Sequence, residues 1–98
     1  MAADATQVAP HVYTVIFEND RLRILEVTMA PGARSEMHSH PDYFAYILDD
    51  GKVRFTDADG GTGELDLPAG AGMWREAEEH ATENIGATPV RAIFVEPK

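Results

Sequence analysis

The stretch Glu36-Met37-His38-Ser39-His40 sets two imidazoles one residue apart in a chain with four histidines and no cysteine. On an extended strand, side chains at i and i+2 point the same way, so His38 and His40 make a two-toothed clamp for a divalent ion. Glu36 shares their face, and Met37 and Ser39 take the other. A third imidazole, His80, lies forty residues on, in His80-Ala81-Thr82-Glu83-Asn84, where a strand puts Thr82 and Asn84 on its face. Three neutral nitrogen donors can hold an ion while a coordination position stays open. The competing reading is a metal-free interior in which the imidazoles satisfy one another and water by hydrogen bonds.

Short strands must position these residues. Turn signals recur every 8 to 12 residues or so, at Asn19-Asp20, Pro31-Gly32, Asp49-Asp50-Gly51, Asp59-Gly60-Gly61, Pro68-Ala69-Gly70, Ile85-Gly86 and Thr88-Pro89. Leu25, Val27 and Met29, then Val53 and Phe55, then Leu65 and Leu67 alternate with polar residues, the period of half-buried strands. The segments YFAYIL and VRAIFV are apolar on both parities, as strands are when a second sheet or a partner chain covers the other face. Asp50-Gly51 reads as a hairpin turn. The stretch from Gly72 to Gly86 reads as two strands around an acidic turn rather than a helix, because glycine and proline bound it closely.

At 98 residues the chain has room for one domain, expected over residues 12–98 behind a loose, Ala-rich arm at 1–11. The absence of cysteine removes disulfides, thiolate metal sites and cysteine nucleophiles from consideration. A net charge of -9 repels nucleic-acid phosphates and anionic lipid, so neither is an expected partner. No window approaches the roughly 18 apolar residues of a membrane span and no basic, then apolar leader opens the chain, so the expected location is cytoplasmic. No serine-histidine-aspartate order, phosphate-binding loop or dinucleotide fingerprint is present.

From Gly32 to Gly51 the chain reads GARSEMHSHPDYFAYILDDG, which resembles the first cupin motif, G-x5-H-x-H-x3-E-x6-G, at both glycines and both histidines. From Gly70, GAGMWREAEEHATEN resembles the second motif at Gly70, His80 and Asn84. The resemblance spans about residues 24 to 96. It implies an all-β fold, a small antiparallel jelly-roll β-barrel, with His38, His40 and His80 as metal ligands at its mouth. It also implies a small-molecule ligand and, for an enzyme, dioxygenase or isomerase chemistry. The alternatives are a binding or sensing module without turnover and a metal-free structural domain.

Two departures bear on this. Phe44 stands where the first motif has its glutamate ligand, and Glu76 and Glu78 stand where the second has proline and glycine. A site of three histidines without a carboxylate suits Zn, Ni, Cu or Fe better than Mn, and Phe44 is expected to dry the pocket. Tyr46 shares the parity of Phe44, so Glu36 and Tyr46 are the candidate acid/base residues. Trp74 is expected in the core or an interface, His11 in solvent, the acids Glu76, Glu78, Glu79 and Glu83 on a solvated face, and Asn84 in structural support. A homodimer is expected, since so short a chain has little surface to bury alone.

Overall fold

The computed structural model describes residues 2–98. It contains a short helix α1 (Ala5–Val8) and nine strands, β1 (Tyr13–Glu18), β2 (Leu22–Met29), β3 (Arg34–His40), β4 (Tyr43–Ile47), β5 (Gly51–Asp57), β6 (Thr62–Leu67), β7 (Gly72–Arg75), β8 (Glu78–Asn84) and β9 (Val90–Pro97). All the strand pairs are antiparallel. No helix among the described residues is long and apolar enough to cross a membrane.

The strands form a five-stranded sheet, β1-β2-β9-β4-β7, and a four-stranded sheet, β3-β8-β5-β6. The all-β, jelly-roll expectation holds, with one correction: the two sheets face each other as a sandwich and do not close into a barrel. Only β1-β2 and β5-β6 are consecutive strands paired in one sheet. Every other connection crosses between the sheets.

Asp50-Gly51 is one of these crossings and not a hairpin, because β4 and β5 lie in different sheets. Gly51 does not adopt a positive φ there. Its backbone instead passes so close to Val90 that a Cβ would meet Val90 Cγ2 at 3.2 Å. The left-handed turn glycine belongs to β5-β6, where Gly60 has φ 87° and Asp57 Oδ1 accepts from the amides of Asp59 and Gly61.

Leu25, Val27, Met29, Ile47, Val53, Leu67, Val90 and Ala92 fill the space between the sheets. The N-terminal stretch expected to be loose packs onto this body. Asp4 caps α1 at the Thr6 amide, Ala5 and Ala9 are fully buried, and the Ser39 amide donates to the Ala3 carbonyl. Asp4 also binds Arg23 at 2.9 Å, which ties the helix to β2.

Candidate metal centre

β3 and β8 lie side by side, and their register places His38 directly opposite His80. The pairing slips between Ser35 and His38, because Ser35 faces Thr82 while three residues of β3 span two of β8. The extra residue turns Ser35 and His38 to the same, inner side, where the Ser35 and Thr82 hydroxyls are hydrogen-bonded. His40 follows inward two residues on, so all three imidazoles enter the interior and are at most 3% exposed.

The same slip overturns one expectation. Glu36 falls on the outer parity and is exposed, so its carboxylate does not line the site; its carbonyl oxygen does, accepting from His38 Nδ1 at 2.7 Å. Tyr46 and Phe44 also face out, 43% and 39% exposed, because Tyr43, Ala45 and Ile47 are the inward residues of β4. Phe44 therefore does not dry the pocket, and Tyr46 does not reach it.

One ligand atom from each of His38, His40 and His80 fits within 4.8 Å of the others. The ring centroids stand 4.8 Å apart for His38 and His40, 4.8 Å for His38 and His80, and 5.0 Å for His40 and His80. On the far side of each ring from this cluster lies an oxygen: the Glu36 carbonyl at His38, Glu96 Oε2 at 3.9 Å from His40 Nδ1, and Glu78 Oε1 at 3.4 Å from His80 Nδ1. Such outer oxygens fix the orientation and tautomer of metal-binding imidazoles.

The hydrogen bonding is incomplete without a cation. A backbone carbonyl only accepts, so His38 Nδ1 carries the proton and its Nε2 presents a lone pair. That Nε2 lies 3.0 Å from His40 Nε2. If His40 donates there, its Nδ1 becomes a bare acceptor facing the Glu96 carboxylate. If His40 instead directs its proton at Glu96, two lone pairs confront each other. His40 Nδ1, Glu96 Oε2 and both nitrogens of His80 in fact have no hydrogen-bond partner. Protonation is a poor remedy, since burial holds the His38 imidazolium down to about 4 and lowers that of His40. A cation held by these three imidazoles would remove the conflict, so the donor set fits a divalent ion with imidazole affinity.

Sequence reasoning missed three neighbours of this cluster. Tyr13 places its hydroxyl 3.2 Å from His38 Nε2, and burial pushes its pKa up to about 12, so it keeps its proton. Glu78, expected in a solvated face, accepts from Tyr43 at 2.8 Å and from Arg75 at 2.7 Å. Glu96 is 2% exposed and bound to Arg23 at 2.6 Å. Burial alone would raise both carboxyls; contacts with His80, Arg75 and Tyr43 at Glu78, and with His40 and Arg23 at Glu96, outweigh it and keep both ionised. A signal for Glu96 existed, because it shares the inward parity of Val90, Ala92 and Phe94, and a charge there needs a partner.

Beside the cluster an apolar cavity of about 50 Å³ opens between the sheets, lined by Tyr13, Tyr43, Phe55, His80 and Phe94 among others. His80 stacks on Phe55 at 5.1 Å, and Tyr43 on Phe94 at 4.5 Å. Asn84 supports the structure as expected, donating to the carbonyls of Met29 and Thr88. His11 bonds the Arg34 carbonyl at the surface. Trp74 is 53% exposed and lies outside the core.

A cupin domain structure from Bordetella pertussis Tohama I superposes with a TM-score of 0.81 at 24% identity, covering 100% of this chain and 97% of that one. The polyketide cyclase RemF from Streptomyces resistomycificus gives 0.63 at 21% identity, over 87% of this chain and 63% of that one. The DMSP lyase DddQ from Ruegeria pomeroyi gives 0.61 at 21% identity, over 82% and 40%. At these identities the likeness is one of fold. No curated protein matches the sequence. The family model for the cupin domain matches residues 25–96, which takes in both histidine strands and nearly the whole sandwich, and the chain therefore belongs to the cupin family.

Proposed function

We propose that the protein holds one divalent transition metal, Zn, Ni, Cu or Fe, at His38, His40 and His80, and that it acts on a small organic molecule reaching this ion from the apolar cavity. The observation that carries the reading is the 3.0 Å approach of His38 Nε2 to His40 Nε2, with His38 Nδ1 committed to a carbonyl. Whichever tautomer His40 takes, it leaves a buried lone pair facing another lone pair or the Glu96 carboxylate, and both His80 nitrogens stay unpartnered; a cation held by the imidazoles would relieve this.

When bound, such an ion supplies Lewis acidity toward an oxygen of the molecule, or the redox chemistry of a dioxygenase. The remaining work falls to this chain. Tyr13 keeps a proton at its hydroxyl, on the cluster's edge, ready to donate to an oxygen that gains charge. Phe55, Phe94 and Met73 line the cavity and exclude water. Glu78 and Glu96 place two negative charges just outside the imidazoles, offsetting the charge of a divalent ion where Phe44 replaces the motif's glutamate. A phenol poised as donor supports isomerase or lyase-type proton transfer ahead of dioxygenase chemistry, and the cyclase and lyase among the similar folds are consistent with that order.

One observation favours a second reading, a binding module without turnover. No carboxylate is among the residues lining the cavity, so a general base other than the histidines is lacking. Its volume of about 50 Å³ is a third of the roughly 150 Å³ that accepts benzene in an engineered apolar cavity, so only a few heavy atoms fit without side-chain movement.

The test is elemental analysis of untagged protein kept from chelators, beside a His38→Ala, His80→Ala double variant. Near one equivalent of a transition metal in the first and almost none in the second is expected. Protein that is empty and takes up none of the four ions on titration overturns the reading.

A further inference from the structure

Behind His40 a chain of charges runs from the histidine cluster to the N-terminal segment. Arg23 on β2 and Glu96 on β9 stand directly opposite each other in the ladder, both on the inward parity of their strands. Arg23 Nε donates to Glu96 Oε1 at 2.6 Å, while the two terminal nitrogens donate to Asp4, Nη2 to Oδ1 at 2.9 Å and Nη1 to Oδ2 at 3.3 Å. The guanidinium thus serves two carboxylates from two edges, which its planar fork allows and a lysine ammonium does not. With Oε1 taken, Glu96 presents Oε2 to His40 Nδ1, 3.9 Å away, and that oxygen has no hydrogen-bond partner of its own.

The same N-terminal segment holds the backbone beside His40. β3 is an edge strand of the four-stranded sheet, so its outer rim has no neighbouring strand. Residues 3 and 4 cover that rim at one point: the Ser39 amide donates to the Ala3 carbonyl at 2.8 Å, and Asp4 bridges to Ser39 in parallel register. Asp4 is itself fixed as the cap of α1, whose Ala5 is fully buried. Asp4 therefore meets the histidine strand through its main chain, and the carboxylate behind His40 through Arg23.

We propose, resting on the reading that His38, His40 and His80 hold an ion, that Arg23 is a positioning residue of the metal centre. Held by Asp4, it fixes the Glu96 carboxylate behind His40 and so sets the orientation and tautomer of that imidazole. An imidazole that gives one nitrogen to an ion keeps its proton on the other, and that proton needs an acceptor; Glu96 Oε2 stands on the Nδ1 side of His40. Without Arg23, a carboxylate only 2% exposed loses its cation. It would then take up a proton or turn away, and in either case stop accepting. This dependence belongs to His40 alone, since His38 leans on the Glu36 carbonyl and His80 on Glu78, which Tyr43 and Arg75 hold.

Competition titration against a chromophoric chelator, with whichever of Zn, Ni, Cu and Fe the wild type binds most tightly, tests this on wild type, Arg23→Met, Glu96→Gln and the double variant. Arg23→Met keeps much of the side chain's length and removes its charge, so affinity should fall about 10-fold, the lower end of what losing an outer partner costs. In the Glu96→Gln background the same change should cost nothing further, because its route is already cut. Imidazole nitrogen NMR of the chelator-treated proteins should show the His40 signals moving in Arg23→Met while those of His80 stay, a pattern that general loosening of the fold does not produce. Should Arg23→Met fail to fold, Asp4→Asn takes its place. Asparagine caps a helix as well as aspartate does, and loss of the ion pair with Arg23 should lower affinity about 3-fold, with the His40 signals again moving alone. A folded variant that binds the ion like wild type, or an Arg23→Met loss that multiplies with that of Glu96→Gln, overturns the role of Arg23 and leaves the metal centre standing. Wild type that takes up none of the four ions overturns both.

Discussion

His38 and His40 approach nitrogen to nitrogen at 3.0 Å, closer than two neutral imidazoles can hold without a shared proton or cation, while the opposite nitrogen of His38 is committed to a backbone carbonyl. Relief of this conflict should appear as stability. Chelator-treated protein is expected to melt at lower temperature than metal-loaded protein, and free metal at a hundred times its dissociation constant should add about 2.7 kcal/mol. Differential scanning calorimetry with Zn, Ni, Cu and Fe checks this and ranks the ions. A melting temperature indifferent to all four would mean that the cluster is a structural feature.

The outer oxygens are not equivalent, and substitution should separate them. Glu78→Gln and Glu96→Gln each remove a carboxylate from the back of an imidazole and should weaken metal affinity about 10- to 100-fold. Glu36→Gln should leave affinity unchanged, because the group touching His38 is the main-chain carbonyl and the side chain is exposed. Competition titration against a chromophoric chelator measures all three.

Acid should undo the metal-free fold in a defined window. Burial holds His38 down to about 4 against an ordinary value of 6.5, so between those values the unfolded chain binds a proton that the folded chain refuses. Stability is therefore full above pH 6.5 and falls as the pH drops toward 4, by roughly 3 kcal/mol from this group. Glu78, Glu96 and Asp4, all lowered, extend the loss to more acid conditions, because the unfolded chain also protonates its carboxylates first. Urea unfolding of chelator-treated protein at steps from pH 7.5 to pH 4 reads the slope directly. A flat profile would contradict the burial of a neutral His38.

Substitution of Tyr13 should separate metal binding from turnover. Tyr13→Phe removes one buried hydroxyl beside His38 and should cost about 1 kcal/mol of stability. Metal content should stay near that of wild type, since three imidazoles remain. Any turnover or ligand affinity found for the wild type should fall sharply, and calorimetry together with elemental analysis distinguishes the two effects.

Much of this architecture was legible in the residues. Alternation marked β2, β5 and β6, and the two histidine segments marked the site. The features that escaped notice did so for physical reasons. Counting parity along a strand assumes an unbroken ladder, and the slip between Ser35 and His38 turned Glu36 outward. Asp-Gly signals a tight turn but not which sheet the next strand joins, so a crossing passed for a hairpin. Tyr13 and Glu96 reach the histidines from β1 and β9 of the other sheet, and only packing across the sandwich brings them there, whereas Glu78 shares the parity of His80 two residues away on β8. The match of Arg23 with Glu96 in adjacent strands shows how two inward charges can be read as one buried pair once register is known.

Residue 44 stands where the family's motif has a ligand, yet here it serves the opposite face of its strand, and this orientation can be tested. The Phe44 ring lies over Gly72, and a Cβ on Gly72 would meet its Cζ at 2.5 Å. The ring is at the surface and can swing away, so Gly72→Ala should cost only about 1 kcal/mol, from lost contact with β7. In a Phe44→Ala background the same change should be neutral or stabilising, because alanine restricts the unfolded chain more than glycine does. Urea unfolding of the two single variants and the double variant gives the coupling, expected at about 1 kcal/mol. Metal content should be unchanged in all three. A Phe44→Ala protein that loses its metal would instead place residue 44 in contact with the histidine cluster, against the outward orientation of this side chain.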